Sequence, residues 1–395
     1  MFDTLYIGTS GLLGNAKGLK IVSNNLANVN TPGFKGAQLR FGALFEQGGG
    51  VTAGHGEPQA AAGQGVTTLG AQLNFRPGSD QSTGNALDQS INGNGMFVVR
   101  RDGELRYTRA GDFSFNGKEV LVNGNGDHVQ ALSAGGELTD ITLDALGSNP
   151  AKVTTTVSFN NNLTSNVAVP PVDATVNGVP IVDLVGGSHT VNLSFKDIGG
   201  GAYTVTVTDG VTGGATLGTG TLRYSGGQPS VSNNAFTFQY STAGVPPFTV
   251  KLDFSKTSNN PATTNLQMGS ADGRVAGVRT AQTIGSDGFI NVTYSNGEKG
   301  KGQRLALAQF VTEDDLVQDN GAAFSKTKTG AVSYGYAGTD AYGSLVSGHR
   351  EGSNVDLAEE FSNLIVMQRG YQAASHVIST TNDMIQELFD MKGHR

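Results

Sequence analysis

MFDTLYIGTSGLLGNAKGLKIVSNNLANV, residues 1–29, places Leu5, Leu12, Leu19 and Leu26 at a strict seven-residue spacing, with Ala16, Val22 and Val29 between them. A seven-residue repeat draws one narrow apolar edge along a helix, as in a coiled-coil seam, whereas an ordinary surface helix carries a wider stripe. Gly8, Gly11, Gly14 and Gly18 fall in the same stretch. Each costs about 1 kcal/mol relative to Ala in a helix interior. The expectation is a helix that is poor alone and needs partners.

The other end repeats the design. Ser353-Asn354-Val355-Asp356 offers a helix cap, and Glu359 and Glu360 follow where the helix dipole favours acids. Leu357, Leu364, Tyr371, Ile378 and Ile385 then recur every seven residues, with Phe361 and Phe389 at the second seam position. Gln368, Ser375 and Asn382 occupy that second position between them, and polar seam residues sacrifice stability while fixing register. Lys392, His394 and Arg395 suit a helix C-terminus. Residues 353–392 would span roughly 60 Å at 1.5 Å per residue. Two readings stand: an antiparallel hairpin closing one domain, or seams buried by other copies of the chain. The position of both helices at the extreme ends favours the second.

Between the ends the period changes from helix to strand. Met96-Phe97-Val98-Val99, Leu105 to Thr108 and Val120-Leu121-Val122 are short β runs parted by Gly-Asn, Asp-Gly and Asn-Gly turns. Residues 153–159, 191–195, 203–208 and 236–240 are rich in Thr, Val and aromatics, and residues 203–208 alternate like a half-buried strand. Pro170-Pro171 and Pro246-Pro247 punctuate this region. The fold class expected is mainly β with α-helical termini, made of inner and outer β domains plus a coiled-coil terminal helix pair. The domains expected are helical ends at 1–30 and 353–395, a linker or extended segment at 31–70, an inner β domain at 71–148 plus 279–352, and an inserted outer β domain at 149–278. Gln47 to Gln64, dominated by Gly and Ala, looks like a flexible connection within that linker.

Composition narrows the function. Glycine, 58 of 395 residues, is about twice the usual ~7% and has no collagen-like period, so it marks turns in a β-rich body. Charged residues make up 15% against roughly 25% in an average soluble domain, so the surface is polar but weakly charged and repels its own copies little. A net charge of −7 argues against nucleic-acid binding, which needs a basic face. No apolar run approaches the ~20 residues of a membrane-spanning helix. The N-terminus lacks a basic segment ahead of a contiguous apolar one, so a cleaved signal peptide is not expected. Cysteine is absent, which removes disulfides and thiolate chemistry.

Four stretches also carry a resemblance. Residues 23–35, SNNLANVNTPGFK, resemble the N-terminal signature of flagellar rod and hook proteins, through Asn24, Asn25, Asn28, Thr31, Pro32, Gly33, Phe34 and Lys35. Physically, residues 28–33 would end the helix, Pro32-Gly33 suits a turn, and Phe34 is an anchor. Residues 352–372, GSNVDLAEEFSNLIVMQRGYQ, resemble the closing signature of the same family, and residues 91–99 and 107–113 resemble its inner β domain. The resemblance implies a self-assembling subunit exported through the flagellar type III apparatus without a cleaved signal. It would pack its terminal helices into an inner tube outside the cell. Its further partners would be the hook cap, the distal rod and the hook–filament junction proteins. Within the family, the large insertion at 149–278 points to the hook branch, a flexible joint transmitting torque, rather than to the rod. The assembly interface implied runs through Leu5, Leu12, Leu19, Val22, Leu26, Leu357, Phe361, Leu364, Tyr371, Ile378, Ile385 and Phe389. Cross-linking through cysteine, which some hook proteins use, is excluded here.

No catalytic arrangement stands out. There is no His-Glu-x-x-His pair, Gly-x-Ser-x-Gly elbow or Walker A loop. His55, His128, His189, His349, His376 and His394 are scattered without metal-ligand spacing. Residues 48–53 fit a dinucleotide fingerprint only loosely, with no strand before them. Asn123-Gly124-Asn125-Gly126-Asp127 lacks the closing Glu of a calcium loop and reads as a hairpin turn. Glu313-Asp314-Asp315 reads as a solvated loop. Arg100, Arg101, Arg106 and Arg109 form the one local basic cluster, read as a polar contact between subunits. No enzyme activity, cofactor or metal is expected. The rival from another class is a surface adhesin or carbohydrate-binding β protein, which the Gly-, Thr- and Asn-rich strands fit equally well.

Overall fold

The computed structural model describes residues 2–43, 65–166, 172–211, 214–312, 315–319, 322–327, 330–339 and 341–393. Gln47 to Gln64, the 48–53 fingerprint, His55, Pro170-Pro171, Glu313-Asp314, the side chain of Lys392, and His394 and Arg395 lie outside the described residues.

Two long helices open and close the chain: α1, Phe2–Ala27, and α2, Leu357–Gly393. The cap of α2 is Asp356, whose Oδ1 accepts the backbone N–H of Ala358 at 2.8 Å and of Glu359 at 3.2 Å. That satisfies donors which have no partner inside the helix. Between the helices the described residues are mostly strand, turn and loop, with a 3₁₀ turn at Asp144–Leu146.

The chain divides into two units, Met1–Asp144 with Gln282–Asn291 and Lys301–Arg395, and Ala145–Ala281 with Val292–Gly300. The first unit holds both helices and a ten-stranded sheet. Met96–Arg101 and Glu104–Thr108 form its central hairpin, turned by Asp102 and Gly103 at φ 51° and 85°. Such a pair of left-handed residues matches the twist of the flanking strands. Phe97, Val98 and Val99 are fully buried, and Phe97 meets Phe113 edge-on at 4.9 Å. Tyr107 packs edge-on against Phe310 at 4.7 Å and its hydroxyl meets that of Tyr334 at 2.9 Å.

The second unit is built on a five-stranded and a four-stranded sheet. The first orders Ala174–Val182, Ser188–Gly199, Ala202–Asp209, Thr216–Ser225 and Gln228–Pro229; the second orders Ala235–Thr242, Val245–Ser258, Thr156–Asn162 and Gln267–Ala271. Alternation drives the burial: Tyr203, Val205 and Val207 are buried while Thr204, Thr206 and Thr208 are half-buried. The two inner faces share one core, joined where Phe195 meets Phe254 at 5.7 Å and Phe254 stacks on Phe159 at 4.7 Å. Thr156–Asn162 runs parallel to Val245–Ser258, whereas the other pairings of these sheets are antiparallel.

Candidate functional site: the terminal helix pair and its anchor

α1 and α2 pack antiparallel. Gly8 lies against Ile378 and Val377, Gly11 against Ala374, Asn15 against Gly370, Gly18 against Met367, and Asn25 against Glu360. A Cβ on Gly8 would stand 2.9 Å from Ile378 Cγ1, and one on Gly18 would stand 2.7 Å from Met367 Sδ. Gly8 and Gly18, which weaken α1 in isolation, are thus what let α2 approach it closely, while Gly14 faces Phe41 and Val66. The seven-residue column lies beside this glycine edge: Leu5, Leu12, Leu19 and Leu26 are half-buried, whereas Val22 is buried.

On α2 the buried and half-buried positions are Glu360, Leu364, Met367, Gly370, Ala374, Ile378, Thr381 and Ile385, spaced by three and four, with Asn363 beside Leu364. At about 100° per residue these form one stripe. Two apolar shoulders flank it. Leu357, Phe361, Tyr371 and Phe389 lie to one side, and Val366, Val377, Met384, Leu388 and Met391 to the other. All nine are exposed, Phe389 by 70% and Met391 by 77%. Of the predicted α2 seam, Leu364, Ile378 and Ile385 therefore face α1, while Leu357, Phe361, Tyr371 and Phe389 face outward. The remaining side carries Arg369, Gln372, His376, Asp383, Glu387 and Asp390, all exposed.

Below the helices, residues 24–35 tie both chain ends to the β body. Asn28 Nδ2 donates to Asn24 O at 2.9 Å, Thr31 Oγ1 donates to Asn28 Oδ1 at 3.0 Å, and half-buried Pro32 continues the turn. Asn25, 1% exposed, spans three elements: its Nδ2 donates to Ala37 O and to Glu360 Oε1, both at 2.8 Å, while its Oδ1 accepts Ala37 N–H at 3.0 Å. Gly33 has φ +65° and donates its N–H to Glu351 O at 2.8 Å. A Cβ there would fall 2.3 Å from Ala110 N, so conformation and space both demand glycine. Phe34 is buried, and Gly36 N–H donates to Asn354 Oδ1 at 2.8 Å.

Lys35 is fully buried and forms an ion pair with the buried Glu351, its Nζ also donating to Arg76 O at 2.8 Å. The same carboxylate accepts Gly78 N–H at 3.0 Å and Arg109 Nη1 at 3.3 Å. Arg109 further donates to Ile91 O and Gly93 O. Burial lowers the Arg109 pKa, with Glu351 opposing that shift. Residues far apart in sequence thereby share one buried network. Sequence reasoning missed Glu351 and the roles of Asn354 and Arg109, because a lone Glu before a glycine carries no periodic signal.

The remaining candidates resolve into structure. The arginine cluster pairs within the chain, Arg100 with Asp140, Arg101 with Asp127, Arg106 with Glu104 and Asp319, and Arg109 with Glu351. Residues 123–127 form a hairpin turn in which Asn123 and Arg101 hold the Asp127 carboxylate. His376 is exposed on α2. Among the described residues no group of His, Asp or Glu is arranged to hold a metal, and no helix is long and apolar enough to cross a membrane.

Three family profiles match the chain. "Flagella basal body rod protein" covers residues 5–35, "Flagellar hook protein FlgE/F/G D1 domain" covers 90–167, and "Flagellar basal body rod FlgEFG protein C-terminal" covers 346–391. The flagellar hook protein FlgE of Rhizobium meliloti (strain 1021) is 29% identical, over 99% of this chain and 99% of that protein. That of Escherichia coli (strain K12) is also 29% identical, over 97% and 98%. The crystal structure of Helicobacter pylori flagellar hook protein FlgE2 aligns with a TM-score of 0.47 at 10% identity, over 67% of this chain and 98% of that chain. With matched profiles at both helices and along residues 90–167, and relatives aligned end to end at 29% identity, the chain is similar over its length to bacterial flagellar hook proteins.

Proposed function

We propose that many copies of this chain polymerise into the flagellar hook, a bent tube that carries torque from rod to filament. One observation carries the reading: the apolar surface of α2 extends well beyond what α1 covers. Exposed apolar area on this scale marks an interaction surface, and its two shoulders are placed for neighbouring helices on either side. The buried Lys35–Glu351–Arg109 network would then couple the helical layer rigidly to the inner β body, so that torque passes without unwinding the junction. The weakly charged second unit supplies contacts that break and reform as the tube bends. Partners beyond the chain itself would be the hook cap, the distal rod, the hook–filament junction and the type III export apparatus, which passes the chain to the cell exterior.

The triple variant M384S/L388S/F389S tests the reading by sedimentation and electron microscopy of the full chain. These side chains are exposed in the single chain, by 58%, 50% and 70%, so its circular dichroism should not change. Curved tubes should form from the parent and not from the variant. Tubes from both would refute the assembly role of α2.

A further inference from the structure

Glu360 ends in an unusual position. The residue is 8% exposed, and its Oε1 accepts Asn25 Nδ2, but its Oε2 is buried without a hydrogen-bond partner. Leaving a buried acceptor unsatisfied costs about 1–3 kcal/mol, more when charged. The helix dipole explains acids in the first turn of α2, but it supplies no donor to that oxygen. Beside Glu360 opens a cavity of about 310 Å³, walled by Gly18, Val22, Leu39, Phe41 and Met367, with Glu359 on its rim. Burial raises the Glu360 pKa, and the charge of Glu359 adds to the shift while Asn25 opposes it. The groove is thus open to solvent and mixed in character, with apolar side chains beside Gln38, Asn363 and the two carboxylates of Glu359 and Glu360.

We propose that this groove receives a lysine or arginine side chain from a second copy of the chain, whose cationic head satisfies Glu360. The apolar wall suits the methylene stem of such a side chain, and the two carboxylates suit its charge. The second copy as donor rests on the polymer reading above. Lys20 on α1 and Arg369 on α2 are the donors to test. Both are exposed, and among the described residues neither has a carboxylate in ion-pair reach.

The experiment measures the critical concentration for polymerisation of the full chain, as parent, E360Q, K20Q and R369Q, at two salt concentrations. Gln at 360 keeps an acceptor for Asn25, and unchanged helical circular dichroism of the dilute protein confirms that the helix pair survives. E360Q should raise the critical concentration about tenfold, equivalent to about 1.4 kcal/mol, and make it less sensitive to salt. One of the two cation variants should match that rise and add nothing further when combined with E360Q. Equal polymerisation of parent and E360Q, or no effect of either cation variant, overturns the inference and leaves the hook reading standing. A parent that never polymerises overturns both.

Discussion

Replacing Glu351 by alanine removes the carboxylate on which the junction between helices and β body converges. Its side chain is 4% exposed, that of Lys35 1% and that of Arg109 10%, so water cannot replace the lost partner. Removing one member of a buried pair typically costs about 3–5 kcal/mol, because it leaves a desolvated charge behind. Taking ~4 kcal/mol, the folding equilibrium of the first unit should fall about a thousandfold. Urea unfolding followed by circular dichroism gives the size, and hydrogen exchange gives the place. Amides of residues 28–36, 74–79 and 349–354 should exchange faster, while those of Ser188–Gly199 and Ala202–Asp209, in the other unit, keep their protection. K35M should cost less, about 1.5–3 kcal/mol, since Glu351 keeps Arg109 and Gly78. The double variant K35M/E351A should lose less than the sum of the single losses, as expected for residues in one network. A loss below ~1 kcal/mol in E351A would refute the buried-network account.

Two further outcomes follow from geometry. G33A should destabilise the first unit by more than ~2 kcal/mol, since it adds backbone overlap with Ala110 to the 1–2 kcal/mol of a left-handed conformation. G84A, at φ +72° with nothing within 4 Å, should show the conformational cost alone, and equal losses in thermal melts would contradict this. In the second unit, the hydrogen bond from His189 lowers the Asp183 pKa against the opposing effect of burial, and the N–H groups of Gly187 and Val185 add to it. A lowered folded-state pKa contributes stability above the unfolded-state value, and that contribution disappears as pH falls through the folded-state value. D183N should therefore be less stable than the parent near neutral pH and should lose less stability on acidification. Parallel acid melting curves would show that the pair does not matter.

The two helices, the β character of the middle and the turn chemistry were all legible, because each is a local matter. A seven-residue repeat, an Asp-Gly turn at residues 102–103 and the alternation at 203–208 report which face of one element is apolar. The sequence also marked Pro32-Gly33-Phe34-Lys35 as special, but only as a turn with an anchor. Why Lys35 can be buried depends on Glu351, hundreds of residues away, and no period in the chain links them. The same limit applied to the helices. The heptads named an apolar edge on α1 and α2, and read Gly8, Gly11 and Gly18 only as weaknesses. Close approach of α2 makes those glycines the contact edge, displaces the leucine column to its side, and leaves Phe361, Leu388 and Phe389 outside. Local sequence determined which surfaces are apolar; tertiary structure decided which of them one chain covers, because two helices meet along one narrow edge while α2 carries an apolar arc too wide for a single neighbour.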